Sequence, residues 1–261
     1  MVGMKNKHEI TDLYQMQALS LNAKIKMSMN RIRAWVDEFG EDGVYVSFSG
    51  GKDSTVLLDL VRREYPNVKA VFVDTGLEYP EIKEFVKSFD NVEVLRPKKN
   101  FKQVIQEYGY PLFSKENAQK ISEIRNTKSE VLKHTRIYGD EKGNGKLPDK
   151  YKFMLDPEAP EVSHKCCDII KKSPVKSYEK KTGRKPIVAT MATESRLRTT
   201  EWLKHGCNSF DSKRPISKPL SFFSDQDILL YIKLYKFYNS TFVDGLSRQM
   251  GIYGKEKHFL W

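Results

Sequence analysis

The sequence predicts an α/β fold, and three observations carry that expectation. Short apolar runs rich in Val and aromatic residues, at positions 44–48, 69–74, 92–95 and 187–191, read as buried strands. Stretches with apolar residues at helical spacing lie between them, as a parallel sheet requires. Each run also stops at a polar or glycine-bearing string, Ser49-Gly50-Gly51, Asp74-Thr75-Gly76, Arg96-Pro97-Lys98-Lys99 or Thr193-Glu194-Ser195. In open α/β sheets ligands lie at the carboxyl ends of the strands, where such strings would gather.

In chain order, positions 9–39 carry Leu13, Met16, Leu19, Ile25, Met29, Ile32 and Val36 at near-helical spacing. Ser20 or Asn22 is expected to divide them into two helices. Gly40 and Gly43 break the pattern before the first strand. A helix over 54–64 follows the glycine string, with Asp53 or Ser54 near its cap. After the second strand, Pro80 suits the first turn of a helix reaching Phe89. The third strand ends in the basic cluster at Arg96, which would suit a phosphate or sulfate. Positions 101–108 read as a short helix and 116–138 as one long polar helix with a thin apolar stripe. Positions 139–150 hold three Gly and one Pro among charges and are expected to form a flexible loop or lid. A helical segment begins near His164-Lys165-Cys166-Cys167 and runs to Lys181, with Gly183 ending it. Arg214-Pro215-Ile216-Ser217-Lys218-Pro219-Leu220 reads as an edge strand. Ser224 with Asp227 opens a last helix over 225–236. The chain stops on His258-Phe259-Leu260-Trp261, an apolar end expected of an interrupted chain. The expected organisation is a helical segment over 1–40, a nucleotide-binding α/β domain over 41–240, and a tail over 241–261 that is truncated.

The string Ser49-Gly50-Gly51-Lys52-Asp53-Ser54 carries the chemistry. Glycines take positive φ and let backbone approach an anion. The unpaired N–H groups of the next helical turn point at that anion, and the helix dipole favours its charge. Lys52 adds a positive charge, and Asp53 can hold a magnesium ion that bridges phosphate oxygens. The spacing is not that of Walker A. It resembles the PP-loop of the ATP pyrophosphatase superfamily, which implies that the loop holds the pyrophosphate end of ATP and that cleavage falls between the α and β phosphates.

Composition narrows the class. A formal charge of +11 suits a polyanionic partner, a nucleotide or a nucleic acid. The helix over 116–138 is rich in basic residues, but aromatic residues do not alternate with them there, as a single-strand binding surface wants. Three cysteines, two of them adjacent, make neither a disulfide framework nor a paired C-x-x-C zinc signature, and point to a reducing, cytoplasmic setting. No apolar stretch reaches membrane length, so no membrane partner is expected.

Further strings resemble the phosphoadenosine phosphosulfate reductase family, which also contains the small, ATP-binding subunit of ATP sulfurylase. They are the loop, Val73-Asp74-Thr75-Gly76 with Tyr79-Pro80-Glu81, Arg96-Pro97, Cys166-Cys167 with Lys171 or Lys172 and Pro174, and Glu194-Ser195-Arg196 with Arg198, in that order. The resemblance spans roughly positions 20–240. It implies a doubly wound, mostly parallel sheet with helices on both faces, and an adenine nucleotide across the strand ends. By position, Ser49, Gly50, Gly51, Lys52, Asp53 and Ser54 would hold phosphates, and Asp74, Thr75 and Gly76 would line the nucleotide site. Glu194, Ser195 and Arg198 would close over the phosphate or sulfate end, with Arg196 turned away as an alternate position of an extended segment. Lys52, Asp53 and Arg198 are the expected catalytic residues, with ATP and magnesium as cofactors and Asp53 as the metal ligand.

Two departures from the family pattern decide between its chemistries. The Glu-Cys-Gly-Leu-His segment that carries the thiol of a phosphoadenosine phosphosulfate reductase is absent, and no cysteine follows Cys207. The iron-sulfur relatives use a Cys-Cys pair and a later Cys-x-x-Cys, of which only Cys166-Cys167 occurs, so an iron-sulfur cluster is not predicted from this chain alone. In the other direction, the best-known reductases have lost the Lys-Asp of the loop, and here both stand. The expected function is therefore ATP cleavage at the α–β bond with transfer of adenylate to an acceptor, sulfate or another substrate of sulfur chemistry. One alternative is a sulfonucleotide reductase with Cys166 and Cys167 as its thiol site, activated by Lys165, Lys171 and Lys172. Another is a protein of nucleic-acid sulfur modification. A partner subunit and a homo-oligomer both stay open.

Overall fold

The computed structural model describes residues 6–235. Helix α1 (Ile10–Gln17) is followed by α2 (Leu21–Phe39), with Ser20 at the division accepting the Ala23 N–H as an N-cap. Strand β1 (Val44–Ser47) leads into α3 (Lys52–Arg62), β2 (Ala70–Val73), α4 (Pro80–Lys87) and β3 (Val92–Leu95). Then come α5 (Phe101–Tyr108), α6 (Lys115–Asn126), α7 (Glu130–Tyr138) and α8 (Ser173–Thr182). Strand β4 (Lys185–Ile187), α9 (Arg196–His205), β5 (Asn208–Ser209), β6 (Ile216–Ser217) and α10 (Asp225–Leu234) complete the described chain. Residues 241–261, the expected tail, lie outside the described residues, as does Lys236, the expected end of the last helix.

The strands form one sheet in the order β3-β2-β1-β4-β6-β5. Strand β1 pairs parallel with β2 and with β4, and β4 pairs parallel with β6; β5 alone is shown antiparallel, to β6. The expected mostly parallel α/β architecture is therefore the one observed.

The chain divides into two compact units. Among the described residues, the first takes those up to Phe72, Glu78–Leu95 and those from Tyr178 onward. On β1, Val44 and Val46 join a core with Ile32 and Trp35 of α2, Leu57 of α3 and Ile228 of α10. Tyr45 alternates to the opposite face, where its ring meets Tyr178 of α8 edge-on at 5.3 Å and its hydroxyl donates to Glu179 at 2.7 Å. Helices thus cover both faces of β1, which is why the strand reads as a continuous apolar run.

The second unit takes Val73–Leu77 and Arg96–Ser177. Among its described residues, Ala118, Ile121, Ile124, Leu147, Met154 and Val162 form one small apolar cluster, and Val104, Cys166 and Ile170 form another.

Four local expectations change. The helix expected over 116–138 is two helices, α6 and α7, because Ser129 caps a new first turn by accepting the Leu132 N–H. The loop expected over 139–150 is tied down locally: Asp140 accepts N–H groups of Lys142 and Asn144 at 2.9 and 2.7 Å, and Leu147 is buried. The fourth strand pairs over Lys185–Ile187 instead of 187–191, since its register with β1 starts at Val44↔Lys185. The segment expected at a sheet edge supplies β6, which lies between β4 and β5; its two ladder residues sit between Pro215 and Pro219, so neither ring interrupts the pairing.

Candidate functional site

The loop between β1 and α3 is built from backbone. Helix α3 starts at Lys52, with Gly51 as N-cap and no side-chain cap, so the helix opens earlier than the expected Asp53 or Ser54 cap. Its first-turn N–H groups are left facing outward from the helix end, the arrangement that binds anions. Gly50 is required on two counts. Its φ is +73°, and a Cβ there would lie 2.8 Å from Ile82 Cγ2 and 2.9 Å from Val86 Cγ2 of α4. Ser54 is buried and ties the loop together: its hydroxyl donates to Gly51 O at 2.9 Å, accepts the Ser49 N–H at 3.2 Å, and lies 3.0 Å from the Ser49 hydroxyl. The backbone and Lys52 are thus left to meet a ligand, while Ser49 and Ser54 shape the turn.

The Lys52 ammonium donates to Asp53 at 2.7 Å and to Asp225 at 2.5 Å. Burial works against its charge, but Asp225 and Asp53 outweigh that and hold Lys52 above its ordinary pKa. Asp225 was not among the residues expected from sequence. It arrives on the first turn of α10, 173 positions away. That turn is anchored: Asp227 accepts the N–H and hydroxyl of Ser224 at 2.8 and 2.7 Å, and the buried Lys24 ammonium of α2 donates to Asp227 at 2.7 Å. The only sequence trace of Asp225 was the Ser224–Asp227 capping pattern beside it, which announces a helix start and nothing about what that start faces.

A second cluster follows β4, the parallel neighbour of β1. Glu194 accepts the Met191 N–H at 2.7 Å and pairs with Arg198. Ser195 caps α9 by accepting the Arg198 N–H at 3.3 Å. Arg196 therefore starts a helix, and the alternation expected of an extended segment does not apply to it. The expected Glu194, Ser195 and Arg198 do come together here.

In the second unit, Asp74 follows β2 directly, accepts the Gly76 N–H at 3.1 Å and lies 3.6 Å from the Arg96 guanidinium. Thr75 accepts the Leu77 N–H at 3.3 Å, and Gly76 has φ +82° with open space where a Cβ would sit. Cys166 is buried and Cys167 exposed. Burial, with the neighbouring Cys167, pushes the Cys166 thiol above its ordinary pKa. A single wide helical turn, Asp168–Lys172, follows the pair. Two of the three lysines expected to activate a thiolate have other contacts, Lys172 donating to Asp168 at 2.8 Å and Lys165 lying over the Tyr108 ring at 4.8 Å; Lys171 favours the Cys166 thiolate but does not outweigh its burial.

Among the described residues no group of three or more His, Cys, Asp or Glu side chains is arranged to hold a metal ion by itself. Magnesium asks for less, since it keeps water and is commonly held by one or two carboxylates together with substrate phosphates. Asp53 and Asp225, both within reach of one ammonium at the end of α3, are a donor set of that kind. Also among the described residues, no helix is long and apolar enough to cross a membrane.

A parallel α/β sheet whose central strand turns through an uncapped glycine loop into a lysine-led helix defines the class, an α/β protein with a strand–loop–helix anion cradle. Residues 43–146 match the family model of the phosphoadenosine phosphosulfate reductase domain. That match takes in the loop, Asp74 and Arg96, and stops short of Cys166 and Glu194. An uncharacterized protein of Methanocaldococcus jannaschii is 28% identical over 138 residues, 51% of this chain but 31% of that protein's length. Among solved structures, a phosphoadenylyl-sulfate reductase from Candida auris in complex with phosphate aligns over 92% of this chain and 93% of its own, with 14% identity and a TM-score of 0.47. An NH3-dependent NAD synthetase from Campylobacter jejuni in complex with nitrate aligns over 87% and 78%, with 12% identity and a TM-score of 0.46.

Proposed function

We propose that this protein is an enzyme that binds ATP with magnesium at the loop of residues 49–54 and cleaves the α–β phosphate bond, transferring adenylate to an acceptor. The observation that carries this reading is Lys52, intact at the uncapped start of α3 and flanked by Asp53 and Asp225. An anionic acceptor such as sulfate forms a bond to the α phosphorus as the bond from that phosphorus to the bridging oxygen breaks. The electron pair leaves with pyrophosphate. The first-turn N–H groups of α3 and the Lys52 ammonium hold the departing phosphates and stabilise the charge that grows on them. Arg198 adds a second cation, by the family resemblance of its segment. An anionic acceptor carries no proton to remove, so no general base is needed. Magnesium, held through Asp53, supplies further charge neutralisation across the phosphates when bound.

The decisive experiment follows pyrophosphate release from ATP and magnesium, with and without sulfate, for the wild-type chain and Lys52→Ala. Release that falls at least about 100-fold in the variant supports the reading, since one such group commonly contributes that much. Tight binding of adenosine phosphosulfate or its 3′-phosphate form, with no pyrophosphate released, would overturn it. That outcome favours the reductase reading, for which the exposed thiol of Cys167 at the start of a helical segment speaks.

A further inference from the structure

We propose that Asp225 makes the loop select metal-loaded polyphosphate over the bare anion. The proposal rests on the reading of residues 49–54 as the phosphate site.

The charge at this site runs against the composition of the chain. The protein as a whole carries +11. At the start of α3, however, one ammonium, Lys52, meets two carboxylates, Asp53 and Asp225, at 2.7 and 2.5 Å. One positive and two negative charges leave this cluster net negative. The loop string contributes a balanced Lys-Asp pair, and the excess comes entirely from Asp225.

The Asp225 side chain is exposed, yet its place is built. Helices α3 and α10 lie side by side with their first turns together. Lys52 meets Asp225 at those ends, and further along Asp59 of α3 accepts the Tyr231 hydroxyl of α10. The Ser224–Asp227 cap and the buried Lys24–Asp227 pair fix the turn that carries Asp225. A capping turn could present any polar residue at this position; the one present is the residue that overcompensates Lys52.

A polyphosphate that reaches the α3 N-terminus draws Lys52 away from its two carboxylates. Those carboxylates then face the polyanion, and like charges at this range repel even where water screens them. A divalent cation carried by the phosphates removes the conflict, because phosphate oxygens and carboxylates are its natural shared ligands. Asp225 acts on the phosphates through Lys52 and through its own field, so it is a positioning and specificity residue.

The test is calorimetric titration of the full chain with inorganic pyrophosphate and with ATP, in EDTA and in magnesium. The proteins are wild type, Asp225→Asn, Asp225→Ser, Asp225→Glu and Lys52→Ala. Without magnesium, the two uncharged variants are expected to bind pyrophosphate roughly three- to tenfold more tightly than wild type, an advantage that shrinks as salt is raised. With magnesium the advantage disappears or reverses, and Asp225→Glu keeps the wild-type preference. A purely structural role predicts weaker binding in both conditions, and that result, or no change in EDTA, would sink the proposal. Lys52→Ala separates the two levels. Unchanged binding there removes the loop reading itself, whereas lost binding there with no effect at Asp225 removes this inference alone.

Discussion

The loop at residues 49–54 and the cysteine pair at 166–167 begin alike: each stands where a helical segment starts, and each is flanked by lysine. They end up differently. At the loop, Gly50 packs under α4, Ser54 closes the turn from inside, and the first-turn N–H groups have no side-chain cap. At the cysteines, one thiol is buried with its pKa pushed up despite the nearby Lys171, and Lys172 and Lys115 both donate to Asp168. A site made of backbone survives folding as the sequence announces it, because glycine and helix start dictate where N–H groups point. A site made of nearby charges does not, because long side chains take whatever partner the fold offers first.

The comparison can be broken most directly at Gly50. Gly50→Ala imposes a side chain at φ +73° and drives it against Ile82 and Val86. A loss of about 2–4 kcal/mol is expected from strain and overpacking together. For a chain of this size that is a fall in Tm of about 5–15 °C, readable by calorimetry. An unchanged Tm would show that the loop is not held as described.

The anchor of α10 comes next. Lys24→Met leaves the Asp227 carboxylate without its buried cation and is expected to destabilise by about 2–3 kcal/mol, less than a fully isolated charge because Ser224 still donates to it. The pH dependence has a definite sign. Burial raises the Asp227 pKa, but Lys24 and Ser224 outweigh it and hold the carboxyl below its ordinary value. Its contribution is therefore fully present above the unfolded value, about 3.9, and is lost as pH falls through the lower folded value. Denaturant melts between pH 6 and pH 2 should show that loss in wild type and a smaller one in Lys24→Met; equal acid sensitivity would contradict the assignment.

The smallest effects belong to the cysteines. Cys167→Ser should change stability by less than about 0.5 kcal/mol and leave pyrophosphate release intact. Thiol-specific labelling at neutral pH should modify Cys167 well before Cys166, whose burial keeps it protonated. Faster labelling of Cys166 would reverse the contrast and revive the pair as a thiol site.

Much of the fold was legible. Val44, Val46 and Phe48 read as core because a strand covered on both faces leaves an unbroken apolar run, Ser224 read as a helix start because its hydroxyl sits just before a periodic segment, and Ser20 was one of two positions expected to divide the first helices. The break between α6 and α7 was missed because the apolar spacing persists across it and only the Ser129 cap marks it. The segment from Glu194 to Arg198 was recognised as a group, but its helical start was not, since Ser195 follows a strand pattern and one serine is a weak signal.

The sequence by itself determined the loop: two glycines, a lysine and an aspartate between an apolar run and a helix leave the backbone one economical path. Tertiary structure alone decided the charge at that loop. Asp225 reaches Lys52 because α10 packs beside α3 and Lys24 pins its first turn from α2. Those contacts span 173 and 203 positions, far beyond the range over which residue spacing carries information about what faces what.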